Sequence, residues 1–186
     1  MRHIALVGMM GSGKSETGRK LALVLGRRFV DCDRLVADAA GCSIPEIFAA
    51  EGEAGFRRRE SELLAAVLAS TDASVIATGG GVVTVPRNRA LLAGAAVCWL
   101  RARPEVLAAR VGDGSGRPLL VSGAGGGGAP ERLRKLAADR DGWYVEVADI
   151  VVDVDDLSVS QATMAVAARL ADVSGWLDDG PGEAAT

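Results

Sequence analysis

Ile4-Ala5-Leu6-Val7-Gly8-Met9-Met10-Gly11-Ser12-Gly13-Lys14-Ser15 joins an apolar tetrapeptide to a glycine-rich loop that closes on Lys-Ser. From Gly8 onward the spacing is G-x-x-x-x-G-K-[ST], directly after an expected strand and directly before an expected helix, which is the context this loop requires. Its glycines let backbone N–H groups point inward at close range, and the helix N-terminus adds partial positive charge, so the loop cradles a polyphosphate. In this reading Lys14 bridges the β- and γ-phosphates, and Ser15 gives its hydroxyl to Mg2+. Gly11, Ser12 and Gly13 supply backbone to that polyphosphate.

Working outward, short continuous apolar runs recur at spacings that leave room for a helix between them, as expected of parallel strands covered on both faces. Strands are expected at 4–7, 29–31, 75–78, 95–100 and 150–154, and helices at 14–25, 60–69, 86–92, 104–111, 130–139 and 158–171. Pro104 and Pro130 suit first helical turns, and Gly26 suits a C-terminal stop. The fold class is therefore α/β with a five-stranded parallel sheet. One domain is expected over 1–172, with a polar tail at 173–186. Residues 112–128 set Arg117 and Pro118 among glycines and read as a lid over an active site.

The 186 residues, 49% hydrophobic and 24% charged, are enough for one core with a solvated surface. Mean hydropathy is +0.22, yet the longest charge-free stretch, 73–86, holds three glycines and is too short to span a bilayer. No membrane partner is expected, and with no signal-peptide pattern the expected location is cytoplasmic. A net charge of -3 argues against a nucleic-acid surface. Cys32, Cys42 and Cys98 are scattered and lack metal or redox spacing, so reduced thiols are expected. The only histidine, His3, precedes the first strand and reads as a surface residue, which removes histidine-based triads and metal sites. A GTPase would need an N-K-x-D segment; the sole asparagine, Asn88, is followed by Arg89. A small phosphotransferase fits better.

On the acceptor side, Asp31-Cys32-Asp33 ends the second expected strand, where α/β sheets present ligands. Read as strand residues, the two acids share one face. Asp31 then orients water on Mg2+, and Asp33 is the candidate base for an attacking hydroxyl. The run Glu51-Gly52-Glu53-Ala54-Gly55-Phe56-Arg57-Arg58-Arg59-Glu60 has the plain reading of a solvated helix face with i,i+3 pairs. Thr78-Gly79-Gly80-Gly81 lets backbone approach a ligand without interference from Cβ.

Together the phosphate loop, Asp31-x-Asp33, Gly55-Phe56-Arg57-x-x-Glu60, the glycines 79–81, Arg117-Pro118-Leu119-Leu120 and Arg140 four residues before Tyr144 resemble the shikimate kinase family over about 4–171. The resemblance implies a P-loop NTPase-like three-layer sandwich, similar to nucleoside-monophosphate kinases, that transfers the γ-phosphate of ATP to the 3-hydroxyl of shikimate in the route to chorismate. It implies a substrate-binding segment at about 33–60, with Arg57 and Arg140 on the substrate carboxylate, Asp33 and the backbone around Gly79, Gly80 and Gly81 on the rest of the substrate, and Glu60 bracing Arg57. Arg117 would close over the phosphates and act in transfer with Lys14 and Asp33. Arg110 would lie against adenine, Glu16 would adjoin the nucleotide, and the protein would be a monomer. The chain departs from the family pattern in Glu16 after Ser15, in the glycine-rich 123–128, in Trp143, and in an adenine loop at 155–157 without an arginine. A gluconate-type sugar-acid kinase shares the loop and the early acids but lacks the Phe56-Arg57-x-x-Glu60 segment. A non-catalytic nucleotide-binding regulator of the same fold is the reading of another class, against which intact Lys14, Asp33, Arg57, Arg117 and Arg140 speak.

Overall fold

Alternate residues of the central strand face opposite ways, and this sorts the core into two layers. In a computed structural model that describes residues 2–112 and 129–172, Ala5 and Val7 of β1 (Ile4–Val7) join Ile76, Val97, Trp99, Leu64, Leu92 and Leu133 on one side of the sheet. Ile4 and Leu6 join Val75, Cys98, Leu100, Leu21, Val166 and Leu170 on the other. The remaining strands are β2 (Arg28–Asp31), β3 (Ser74–Ala77), β4 (Ala96–Arg101) and β5 (Ile150–Asp153). All pairings are parallel and the order is β2-β3-β1-β4-β5. The five expected strands are thus present with ends shifted by a residue or two. β1 lies between β3 and β4, so the chain leaves its carboxyl end at a switch point, where open α/β sheets hold their ligands.

The helices are α1 (Lys14–Val24), α2 (Cys32–Ala40), α3 (Ile44–Leu68), α4 (Pro86–Leu92), α5 (Pro104–Val111), α6 (Ala129–Val147) and α7 (Val159–Asp172), with a 3-10 turn at Val82–Thr84. Helix α1 stops at the expected glycine: the Gly26 amide donates to Leu23 O and the Arg27 amide to Ala22 O, the two bonds of a Schellman cap. No helix among the described residues is long and apolar enough to cross a membrane.

Three features depart from expectation. Helix α6 runs on to Val147 instead of ending at 139, because Leu133, Ala137, Arg140 and Tyr144 recur at helical spacing and are all buried. No helix is expected over 34–50, where the structure has most of α2 and the start of α3. The Asp31 side chain caps α2 by accepting from the Arg34 amide at 3.3 Å, and α3 breaks at Gly52 (φ 69°, ψ −177°). These two helices close over a small core of Val36, Ile47 and Phe56. His3, expected at the surface, is only 6% exposed. Its Nδ1 accepts from the Ser74 amide at 3.1 Å, and its Nε2 donates to Ser70 O at 3.0 Å, so the ring ties β1 to the start of β3. The three cysteines are free, with Cys32 and Cys98 buried, and burial pushes the Cys98 thiol up to about 12.

The expected lid, Arg117 included, lies outside the described residues apart from Gly112, as does the expected tail at 173–186.

Candidate active site

The loop after β1 owes its path to glycine. Gly8 adopts φ +141°, and a Cβ there would sit 2.5 Å from Leu100 O, so both the backbone conformation and the close approach of β4 exclude other residues. Gly11 and Gly13 also have positive φ, and α1 begins at Lys14, which aims the helix N-terminus into the loop. Lys14 is 8% exposed and its Nζ donates to Gly8 O at 2.8 Å and Met9 O at 2.9 Å. The buried Ser12 Oγ has no protein partner among the described residues.

A cavity of about 470 Å3 opens over this loop. Residues 10–17 form its floor, including Gly11, Ser12, Gly13, Lys14, Ser15 and Glu16; Asp33, Thr78 and Gly80 stand at one end, and Arg110, Leu157 and Val159 at the other. Arg110 donates through Nη2 to Val154 O at 2.6 Å and Asp155 O at 3.0 Å. Asp155 in turn accepts from the Arg103 amide and Nε at 2.8 and 2.7 Å, which holds its carboxyl below the usual range. The 155–157 loop, without an arginine of its own, is therefore supplied with two by α5 and its N-cap.

Asp31 and Asp33 do not share a face. The expectation treated both as strand residues, but the chain turns into α2 at Cys32. Asp33 therefore reaches the phosphate cavity, while Asp31 lines a separate recess with Arg19, Arg28 and Arg34. Asp31 does not line the cavity that holds Ser15.

Behind Gly80, two guanidinium groups are held from different helices. Arg57 on α3 donates through Nη1 to Glu60 Oε2 at 2.7 Å, and through Nε and Nη2 to Glu53 Oε1 at 3.4 and 3.2 Å. Arg140 on α6, 4% exposed, donates through Nη1 to Gly80 O at 3.1 Å, and Tyr144 one turn later donates its hydroxyl to the same oxygen at 2.5 Å. Tyr144 is stacked on Trp99 with ring centroids 5.4 Å apart. Glycine is required where these groups converge: a Cβ on Gly81 would fall inside the Arg57 guanidinium, and one on Gly79 would run into the carboxylates of Glu60 and Asp33.

Burial raises the Glu60 carboxyl above its ordinary value, against the opposing pull of Arg57, and Asp33 adds to the rise. Glu60 Oε1 has no protein partner among the described residues. Burial lowers Arg140, and the nearby positive charge of Arg57 acts in the same direction. Arg57 itself is raised: burial opposes its charge, but Glu60 and Glu53 outweigh that.

The run 57–59 divides its work across the Gly52 break. Arg58 and Arg59 both reach back to Glu51, at 3.3 and 2.7 Å, across seven and eight residues and not at the expected i,i+3 spacing, whereas the i,i+3 pair that forms, Arg57 with Glu60, turns inward. The role of Tyr144 in holding Gly80 and the pairing of Glu53 with Arg57 were not read from the sequence. The i,i+4 spacing of Glu53 and Arg57 was the signal available for the second.

The Shikimate kinase family model matches residues 10–171. A shikimate kinase of Symbiobacterium thermophilum is 48% identical over 170 residues, covering 90% of this chain and 95% of the relative. Among solved structures, a shikimate kinase from Acinetobacter baumannii in complex with shikimate superposes with a TM-score of 0.84 at 36% identity, covering 94% of this chain and 96% of that one. A gluconokinase from Sinorhizobium meliloti shares the fold alone, at a TM-score of 0.58 and 21% identity.

Proposed function

The chain belongs to the shikimate kinase family, and from that premise we propose that its cleft passes the γ-phosphate of ATP to the 3-hydroxyl of shikimate, releasing ADP and shikimate 3-phosphate. The observation that carries this reading is the placement of Arg57 and Arg140 around Gly80 and Gly81, next to the Asp33 end of a cavity floored by Lys14. A carboxylated acceptor held by two guanidiniums there has its ring toward Asp33 and the phosphate loop. Arginine forks suit this task because they meet carboxylates with paired, directional hydrogen bonds.

The backbone amides of the loop and the N-terminus of α1 receive the phosphates. Lys14 Nζ, poised on Gly8 O and Met9 O, lies where it can turn to phosphate oxygens, and Ser12 Oγ offers a buried donor without a protein partner among the described residues. Arg110 and the apolar Leu157 and Val159 form the end suited to a flat base. Asp33 accepts a hydrogen bond from the attacking hydroxyl and then its proton. Arg117 is proposed to contribute from the segment at 112–128. The chemistry asks for alignment and charge neutralisation more than covalent help.

Mg2+ fits this cleft as a partner of the nucleotide. No group of three His, Cys, Asp or Glu residues able to hold a metal occurs among the described residues. The Ser15 hydroxyl on the cavity floor is the protein ligand that suits a cation otherwise held by phosphates and water. The ion supplies charge neutralisation at the transferring phosphate. Asp31, expected to orient metal water, is engaged as the cap of α2.

The protein is further proposed to act in the cytoplasm as a monomer in the route to chorismate, as one domain with an acid-binding segment at about 33–60. Coupled ADP release with Mg-ATP and shikimate, quinate or gluconate tests the substrate assignment. Turnover with shikimate well above the other two is expected, and preference for gluconate overturns it.

A further inference from the structure

The two carboxylates on Arg57 are not equivalent. Glu60 is 1% exposed and takes Nη1 at 2.7 Å, a short charge-assisted bond in a dry setting. Glu53 is 49% exposed and takes the Nε/Nη2 edge through one oxygen at 3.4 and 3.2 Å. That edge is the side-on pair of donors that binds a carboxylate with two parallel bonds. Glu53 uses it imperfectly, as a half-exposed i,i+4 pair of the weak class. It sits directly after the Gly52 break, so its backbone lies at the start of a helical segment, with solvent to receive the side chain.

We propose that Glu53 is a placeholder: its carboxylate occupies the side-on edge of Arg57 and is displaced by the carboxylate of the acceptor, which makes Glu53 a determinant of acceptor affinity. This deepens the proposed function and rests on it. Glu60 stays in place throughout and keeps the guanidinium oriented, so the displaced pair costs little while the incoming one gains both donors. A neutral acceptor has no charge with which to compete for that edge, so the placeholder acts as a filter for acids.

The test is a calorimetric titration of the full chain with shikimate and with its uncharged methyl ester, comparing wild type with Glu53→Gln. Removing the competing charge is expected to tighten shikimate binding about two- to fivefold, the span of an exposed ion pair, and to leave ester binding unchanged. Unchanged or weaker shikimate binding in Glu53→Gln overturns the placeholder, since a carboxylate that merely orients Arg57 for the substrate gives that sign. An equal gain for acid and ester also overturns it. If wild type binds no shikimate, it is the proposed function that fails, and the placeholder falls with it.

Discussion

Arg140 and Tyr144, one helical turn apart on α6, converge on a single acceptor, the carbonyl of Gly80. The phenol fixes the oxygen, and the oxygen fixes one arm of the guanidinium, while the stack on Trp99 holds the ring against β4. Tyr144→Phe keeps the stack and removes one of two donors, so Gly80 O retains a partner. The expected cost is about 1 kcal/mol of stability, with weaker shikimate binding and an unaltered KM for ATP. Denaturant unfolding and steady-state kinetics check the split; a rise in both KM values contradicts the coupling to Arg140 alone.

Arg57→Ala has two separable costs. It leaves Glu60 buried without its cation, which carries a penalty of about 3–5 kcal/mol for a broken buried pair. It also removes a carboxylate clamp, at about 2–5 kcal/mol of shikimate binding. The double variant with Glu60→Gln is expected to recover much of the stability and none of the binding. Unfolding and titration measured on the same samples decide this, and unchanged shikimate affinity in either variant removes Arg57 from the acceptor site.

The raised Glu60 carboxyl sets a sign for pH dependence. The native chain holds that proton more tightly than the unfolded chain, so this group's contribution to stability falls as pH rises from the ordinary carboxyl value through the folded one. Glu60→Gln is expected to flatten that part of the profile. Unfolding free energies measured across acid to neutral pH check it; an identical slope in the variant shows that another group titrates there.

Gly81→Ala drives a methyl group into the Arg57 guanidinium without disturbing backbone dihedrals, since Gly81 has φ −105°. The arginine must give way, at a cost on the order of 1–3 kcal/mol for overpacking. Weaker shikimate binding with ATP binding preserved is expected, and paired titrations with each ligand read it. Equal loss of both ligands points instead to collapse of the loop after β3.

The phosphate loop was legible because its chemistry is written in adjacent residues: glycine φ values and the Lys-Ser ending lie within eight positions, between a strand and a helix that local pattern also reveals. The same holds for the strand runs and for the Gly26 stop of α1. Asp31 and Asp33 show the limit. Their spacing is visible, but which way each faces depends on where β2 gives way to α2, and that is settled by the cap on Arg34 and by the small core of Val36, Ile47 and Phe56.

Identity and family came from motifs in their order along the chain, since each motif is short and needs only its own neighbours. The clamp needed the folded molecule: Gly80 meets Arg140 and Tyr144 from 60 and 64 residues away. His3, expected at the surface, is buried and held by Ser70 and Ser74 across a similar separation. Such contacts exist because a parallel sheet brings distant segments to one edge, and the exchange of water for protein around Glu60 and Arg140 follows from packing that no local pattern encodes.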